Sequence, residues 1–347
     1  MSVDKDYCLS SFLAFRYVYE NDKDFAPGLK HRIYTHPLES EKVLVKNASD
    51  IDRALRKTFD SLKGKKVGMM LSGGMDSAIL ASYMPEGSYA YTFRFLGGKF
   101  GEEELKRAEA YAKYYKLNLK YVDISWDTVI KNVDVLMKHK NAPVHSIEPQ
   151  IMEAALQAKK DGVEIMVIGD AADYVFGGMD GLLSKDWKFE EFYNRFIYIE
   201  PSSALKNPAD MHYIFEKYRQ GEGIDFLGIM DTITIDESYA SYENAFSTAG
   251  LDYIDPYETL KMAEPLDLKR IRSGDTKYLI RDVFRMKYPG FLLPTKIPMP
   301  RPVDEYFKNW KGPIRPEFRN DIDMSKLSGN QKWLLFCLER FLNMIEK

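Results

Sequence analysis

At 347 residues, with 49 basic against 52 acidic side chains and a net charge of −3, the chain gives no electrostatic reason to expect a nucleic acid or a membrane surface as partner. Hydrophobic residues at 45% and charged residues at 29% allow a buried core without staples, and two cysteines, Cys8 and Cys337, with no CxxC or Cys/His cluster, offer neither a zinc site nor a redox pair. The opening MSVDKDYCLSSF lacks a signal-peptide run and no apolar stretch is long enough to span a bilayer, so a soluble, cytoplasmic protein with one main domain and attached helices is expected.

Residues 1–50 carry aromatics and charges without a strong helical period, with a turn at Ala26-Pro27-Gly28 and extended pieces around 32–36. They read as an ordered arm. Asn47 to Asp50 then offers an N-cap, and Ile51, Leu55 and Phe59 recur at helical spacing up to Lys63-Gly64. The pattern switches at 67–71 to a continuous apolar run, a buried strand that ends in Ser72-Gly73-Gly74 and enters a helix from Asp76. A strand over 89–95, a charged helix over 102–115, a strand over 119–124, a helix over 148–160 and a strand over 164–168 follow. Strands alternating with helices predict an α/β fold: a parallel, five-stranded type of sheet with helices on both faces and ligands at the carboxyl ends of its strands. Beyond Gly177-Gly178 the alternation stops. Segments 188–199, 209–219, 227–248 and 276–287 read as helices, and Ser328 to Gln331 caps a last amphipathic helix. The expected division is an arm over 1–50, an α/β core over 51–182 and a mostly helical lobe over 183–347.

In Ser72-Gly73-Gly74-Met75-Asp76-Ser77 each residue type meets a separate demand of a pyrophosphate site. Two glycines let backbone N–H groups approach an anion, the hydroxyls of Ser72 and Ser77 can donate to phosphate oxygens, and a helix begins there. Asp76 suits a phosphate site only with Mg²⁺ between them. The plainer alternative is a glycine turn such as any α/β protein can contain; the strand before and the Asp-Ser and helix after favour the phosphate site. No Gly-Lys-Ser/Thr follows. The segment instead resembles the PP-loop, SGGxDS, of the ATP-pyrophosphatases, which cleave ATP between its α and β phosphates.

A second motif, Ile168-Gly169-Asp170-Ala171-Ala172-Asp173-Tyr174-Val175-Phe176-Gly177-Gly178, resembles the GEGxDExFGG segment of the asparagine synthetase and β-lactam synthetase family. The resemblance continues through Glu243 to Ser247, Gly250-Leu251-Asp252, Pro256-Tyr257, Lys277 to Arg281, Leu293 to Pro298 and Ser328 to Leu338, and the arm segments 13–18 and 25–28 are similar to the family's interdomain linker. It implies an enzyme that adenylates a carboxylate and then makes an amide, using ATP and Mg²⁺. Glutamine-using members carry a hydrolase whose nucleophilic cysteine follows the initiator Met; here position 2 is Ser. Nitrogen is therefore expected from free ammonia, an amine, or a separate glutaminase subunit, and the acceptor is a small carboxylic acid.

The same resemblance assigns the residues. Leu71, Ser72, Gly73, Gly74, Asp76, Ser77, Phe93 and Gly169 would hold the nucleotide, Asp76 and Asp173 the Mg²⁺. Lys296 would offset charge on pyrophosphate and on the tetrahedral intermediate, with Lys277 and Arg281 as further phosphate contacts. Asp170 stands where relatives place Glu or Tyr, at the position linked with deprotonating the incoming nitrogen; burial would have to raise its pKa for that. Plainer readings stand beside these: solvated lysines for 277 and 296, a capping role for Asp170, a core aromatic for Phe93. His145 either lines the pocket or is an ordinary satisfied histidine, and Tyr239 to Tyr242 reads as helix packing. The rival functions are a PP-loop enzyme of RNA or sulfur transfer, which would show a basic appendage or paired cysteines, and an inactive scaffold homologue.

Overall fold

The structure, a computed structural model, describes residues 2–34, 37–96, 101–295 and 299–346. Its centre is a five-stranded parallel sheet built from β1 (Val67–Met70), β2 (Tyr89–Phe95), β3 (Asn118–Ile124), β4 (Ile165–Val167) and β5 (Asp252–Ile254), in the order β5-β4-β1-β2-β3. Every neighbouring pair is parallel, with Gly68 beside Tyr89 on one side of β1 and Met166 on the other. The chain runs outward from β1 to β3 and then returns to lay β4 against the free side of β1. Strand order thus reverses between β1 and β4, and the loops that leave their carboxyl ends diverge there and open a crevice.

Strand periodicity divides the core. Val67, Met69, Leu71, Ala90 and Val167 belong to one apolar cluster, while Tyr91, Val122, Ile124, Met166 and Ile168 belong to the other, as alternation of side chains across a pleated sheet requires. The first cluster packs on α2 (Ala48–Ser61), α3 (Met75–Ala81) and α4 (Glu102–Tyr114); the second packs on α5 (Trp126–Lys140) and α6 (Glu148–Lys160). Helices therefore cover both faces, as expected. Asn47 caps α2, its side chain accepting from Asp50 N, and α6 begins with Pro149 in its first turn. Beyond the sheet, the expected helices appear at Phe189–Phe196, His212–Glu216 and Phe226–Ile229, the last continuing through a π-helical turn, Met230–Thr234, into Ile235–Ala249. Tyr278–Lys287 forms another, and Gly329–Ile345 begins at the Ser328/Gln331 capping box.

Three features differ from the sequence expectation. The arm contains a helix, α1 (Lys5–Phe15), in which every residue from Tyr7 to Phe15 is buried; a helix enclosed on all sides carries no amphipathic stripe to betray it. Its neighbourhood meets the last helix, where Phe25 and Phe341 stack edge-on at 4.9 Å. Helix α5 lies where the sequence expectation places no element, although Ser125 and Thr128 close a capping box at its start. The fifth strand, only three residues long, comes from beyond residue 182, so the sheet is completed by the chain's second half. Similarly, Val43–Val45 pairs with Leu260–Met262. Among the described residues no helix is long and apolar enough to cross a membrane.

Candidate active site

The crevice beside β1 is walled by the two segments that the sequence singled out. In the first, Ser72 N donates to Ser77 Oγ at 3.0 Å, the two hydroxyls lie 3.0 Å apart, and Gly74 N donates to Ser72 Oγ at 3.1 Å. These bonds curl the loop after β1 and spend both hydroxyls on its shape in this structure. Gly73 is required by close approach: a Cβ there would lie 2.6 Å from the Glu104 carbonyl oxygen in the first turn of α4. Arg107, one turn further, donates from Nε to Gly73 O at 2.9 Å. The loop is thus clamped from outside by α4 while Ser72, Gly74, Asp76 and Ser77 line the cavity.

The second segment is held by a residue that sequence reading gave no role. Asp255, buried just past β5, accepts from Ala171 N at 2.7 Å and from Tyr257 N at 3.0 Å. Burial raises the pKa of its carboxyl well above the usual carboxylate range, with the two backbone donors opposing. Tyr257 in turn donates its hydroxyl to Asp76 O at 2.9 Å, which joins the segments across the crevice. The Pro256-Tyr257 pair was the signal in the sequence, but nothing local said that it would lie between both motifs.

Asp76, Asp173 and Lys277 converge. Lys277 Nζ donates to Asp76 Oδ2 at 2.6 Å and lies 2.7 Å from Asp173 Oδ1, and its side chain is 3% exposed. Burial alone would lower the lysine pKa, yet the two carboxylates outweigh it and hold the ammonium charged. Lys277 adopts φ 51°, a left-handed backbone uncommon for a lysine, immediately before the helix Tyr278–Lys287. Gly178 makes room for the group, since a Cβ there would come within 2.2 Å of Lys277 Cε and closer still to Asp173 Oδ1. The two acidic residues expected to share one cation are therefore on one site, and the lysine expected at the phosphates stands between them.

Asp170 lines the same cavity and accepts from Ser238 Oγ at 2.5 Å. Burial raises its pKa to about 6, Asp173 and Glu237 adding to the rise while Ser238 opposes it. The side chain is thereby a carboxyl whose charge changes near neutrality, within the range useful to a proton acceptor. Ser238 was not anticipated. Tyr242 lies one turn further along that helix and also lines the cavity, so the tyrosine stretch read as packing only is packing at Tyr239, in the apolar core, and cavity wall at Tyr242.

Leu71, Phe93 and Gly169 line the cavity as well, Phe93 from the carboxyl end of β2, with apolar neighbours Met70 and Phe95 forming a wall suited to a flat base. Gly73 and Lys277 support the lining from behind and do not appear on it. Arg281 is turned aside toward Thr276 Oγ1 at 3.2 Å and Asp275 at 3.6 Å, away from the expected phosphate contact. His145 is buried in a separate polar group with Arg16. Lys296 lies outside the described residues, between Thr295 and Met299, which both line the cavity.

The asparagine synthase family pattern matches residues 50–224. A protein of Methanocaldococcus jannaschii named as an asparagine synthetase (glutamine-hydrolysing) is 29% identical over 140 residues, which are 37% of this chain and 24% of that protein; the chain thus matches about a quarter of its relative's length. Among solved structures, a U34-tRNA thiolase of Methanococcus maripaludis matches 85% of this chain and 78% of its own at 16% identity and a TM-score of 0.34. An NMN synthetase of Francisella tularensis matches 73% and 97% at 11% identity and 0.28, and an NH3-dependent NAD synthetase of Campylobacter jejuni 72% and 100% at 15% and 0.27.

Proposed function

The chain belongs to the asparagine synthase family, and we propose that it is an ATP-dependent carbon–nitrogen ligase which activates a substrate carboxylate as its AMP ester and then joins the acyl group to ammonia or an amine. The observation that carries this reading is the meeting of Asp76, Asp173 and Lys277, from three distant parts of the chain, beside a cavity lined by loop 72–77, Phe93 and Asp170.

The residues fit the groups the family implies. Phe93 and Met70 give the cavity an apolar wall for adenine, and the glycine-bearing loop gives a phosphate tail a backbone to lie against. Asp76 and Asp173 are hard oxygen donors of the kind Mg²⁺ takes. Mg²⁺ is commonly held by one or two carboxylates with the rest supplied by phosphate and water, and Asp76 and Asp173 would be those two. When bound, the ion would offset charge on the departing pyrophosphate.

The chain's own part is positioning and charge. The acceptor carboxylate oxygen attacks the α phosphorus while the bond to the β-phosphate oxygen breaks; loop 72–77 fixes the tail for in-line displacement and Lys277, with Lys296, offsets the charge that leaves. The amine then attacks the acyl carbon, AMP departs, and Asp170 takes the nitrogen's proton, which its ionised form can do above a pH of about 6. Ser238 holds the oxygen of Asp170 that it faces. The nitrogen nucleophile is ammonia, free or released from glutamine, or an amine.

Exchange of labelled pyrophosphate into ATP, run over a panel of carboxylic acids with and without ammonia and glutamine, tests the reading. At least one acid should support exchange that Asp76→Ala abolishes. Exchange with none, or full exchange in the variant, would overturn it.

A further inference from the structure

The carboxylates among the described residues that line the cavity are Asp76, Glu104, Asp170 and Asp173. The reaction as described uses three of them and leaves Glu104 aside. Glu104 presses on the loop after β1, for its Cγ would lie 2.7 Å from a Cβ at Gly73, nearly as close as its carbonyl oxygen. The carboxyl end turns back toward the start of α4, where Oε2 would lie 3.9 Å from a Cβ at Gly101, and both Gly101 and Leu105 line the cavity beside it.

That oxygen is buried without a hydrogen-bond partner. Arg107, the cation one turn further along α4, directs its Nε to Gly73 O instead. Burial raises the pKa of the Glu104 carboxyl, with the Gly73 backbone and the charge of Arg107 opposing, the response of an acid whose charge is incompletely met. A buried acceptor without a donor costs free energy, and at a cavity wall the donor can be supplied by a ligand. Charge narrows the choice of ligand group. Phosphate oxygens are negative and would be repelled, whereas the nucleoside half of ATP is uncharged and carries donors, the ribose hydroxyls and the adenine 6-amino group. Place agrees with charge, because α4 packs on β2, and Phe93 and Phe95 of β2 line the same cavity as Glu104.

We propose that Glu104 Oε2 accepts a hydrogen bond from the nucleoside of ATP and makes the cavity selective for a nucleotide that carries the donor. The donor is a ribose hydroxyl or the 6-amino group; the chemistry is the same, and nucleotide analogues separate the two sources. The assignment rests on the reading of the cavity as an ATP site. The competing account is that Glu104 only props the loop through its contact with Gly73, and a prop, once altered, weakens every nucleotide alike.

Calorimetry in the presence of Mg²⁺ compares ATP with 2′-deoxyATP, 3′-deoxyATP and purine riboside triphosphate, which lacks the 6-amino group. Wild type, Glu104→Gln and Glu104→Met are measured, each checked for folding by circular dichroism. At least one analogue should bind wild type about 10- to 100-fold more weakly than ATP, the scale of a hydrogen bond to a charged group, and the analogue that does so identifies the donor. The ratio should fall toward one in Glu104→Met and shrink in Glu104→Gln, which keeps an acceptor oxygen without the charge. If Glu104→Met does not fold, the ratio in Glu104→Gln decides. Equal affinity of wild type for ATP and every analogue, or a ratio that the deciding variant leaves unchanged, would overturn the role of Glu104 while leaving the ATP site in place. No binding of ATP itself would remove both.

Discussion

Replacing Asp170 by Asn tests both the electrostatics of the cavity and the assignment of the base. The pKa of Asp170 is raised from the ordinary 3.8 to about 6. The folded protein therefore binds a proton more tightly than the unfolded chain, and the stability this gives is present below about pH 4 and lost as pH rises through 6. Two pKa units and a little more, at 1.36 kcal/mol each, put the cost of the buried charge at pH 8 at about 3 kcal/mol. Asparagine keeps the shape and still accepts from Ser238 while removing the charge. Denaturant unfolding should then show the variant more stable than wild type by up to about 3 kcal/mol at pH 8 and nearly equal to it at pH 4. Amide formation should fall by about 10²- to 10⁴-fold, the usual contribution of a positioned base, with pyrophosphate exchange largely kept. Equal stability at both pH values would refute the burial argument; undiminished amide formation would refute the role of Asp170.

Lys277→Met removes the buried ammonium that lies between Asp76 and Asp173, so unfolding free energy should drop by about 3 kcal/mol or more and exchange should vanish; denaturant melts at low and high ionic strength check the first part, since salt should narrow the gap. Gly73→Ala pushes a Cβ against the Glu104 backbone, and a loss of about 1–3 kcal/mol with weakened ATP binding is expected; unchanged nucleotide affinity by calorimetry would mean that loop 72–77 is not the phosphate cradle. Ser328→Ala removes the cap of the last helix and should cost about 1 kcal/mol in thermal melts without touching exchange.

The loop after β1 was legible because turn chemistry is local: two glycines, two hydroxyls and an aspartate within six residues imply a backbone able to meet an anion wherever the segment is placed. The main strands and helices were legible because a period of two or of 3.6 survives in a short window. Helix α1 was not, since full enclosure erases the period, and neither was β5, three residues whose pairing with β4 depends on a return of the chain from far away.

What the sequence determined by itself, then, was the alternation that makes a parallel sheet and the presence of two motifs at its carboxyl edge. The tertiary structure alone decided that Lys277 sits between Asp76 and Asp173, partners 201 residues apart in the first case, that Asp170 is buried enough to titrate near neutrality, and that Arg16 of the arm meets Arg301 at one histidine. Burial and charge pairing are set by which surfaces close over a group, and those surfaces come from segments that no window of sequence contains together.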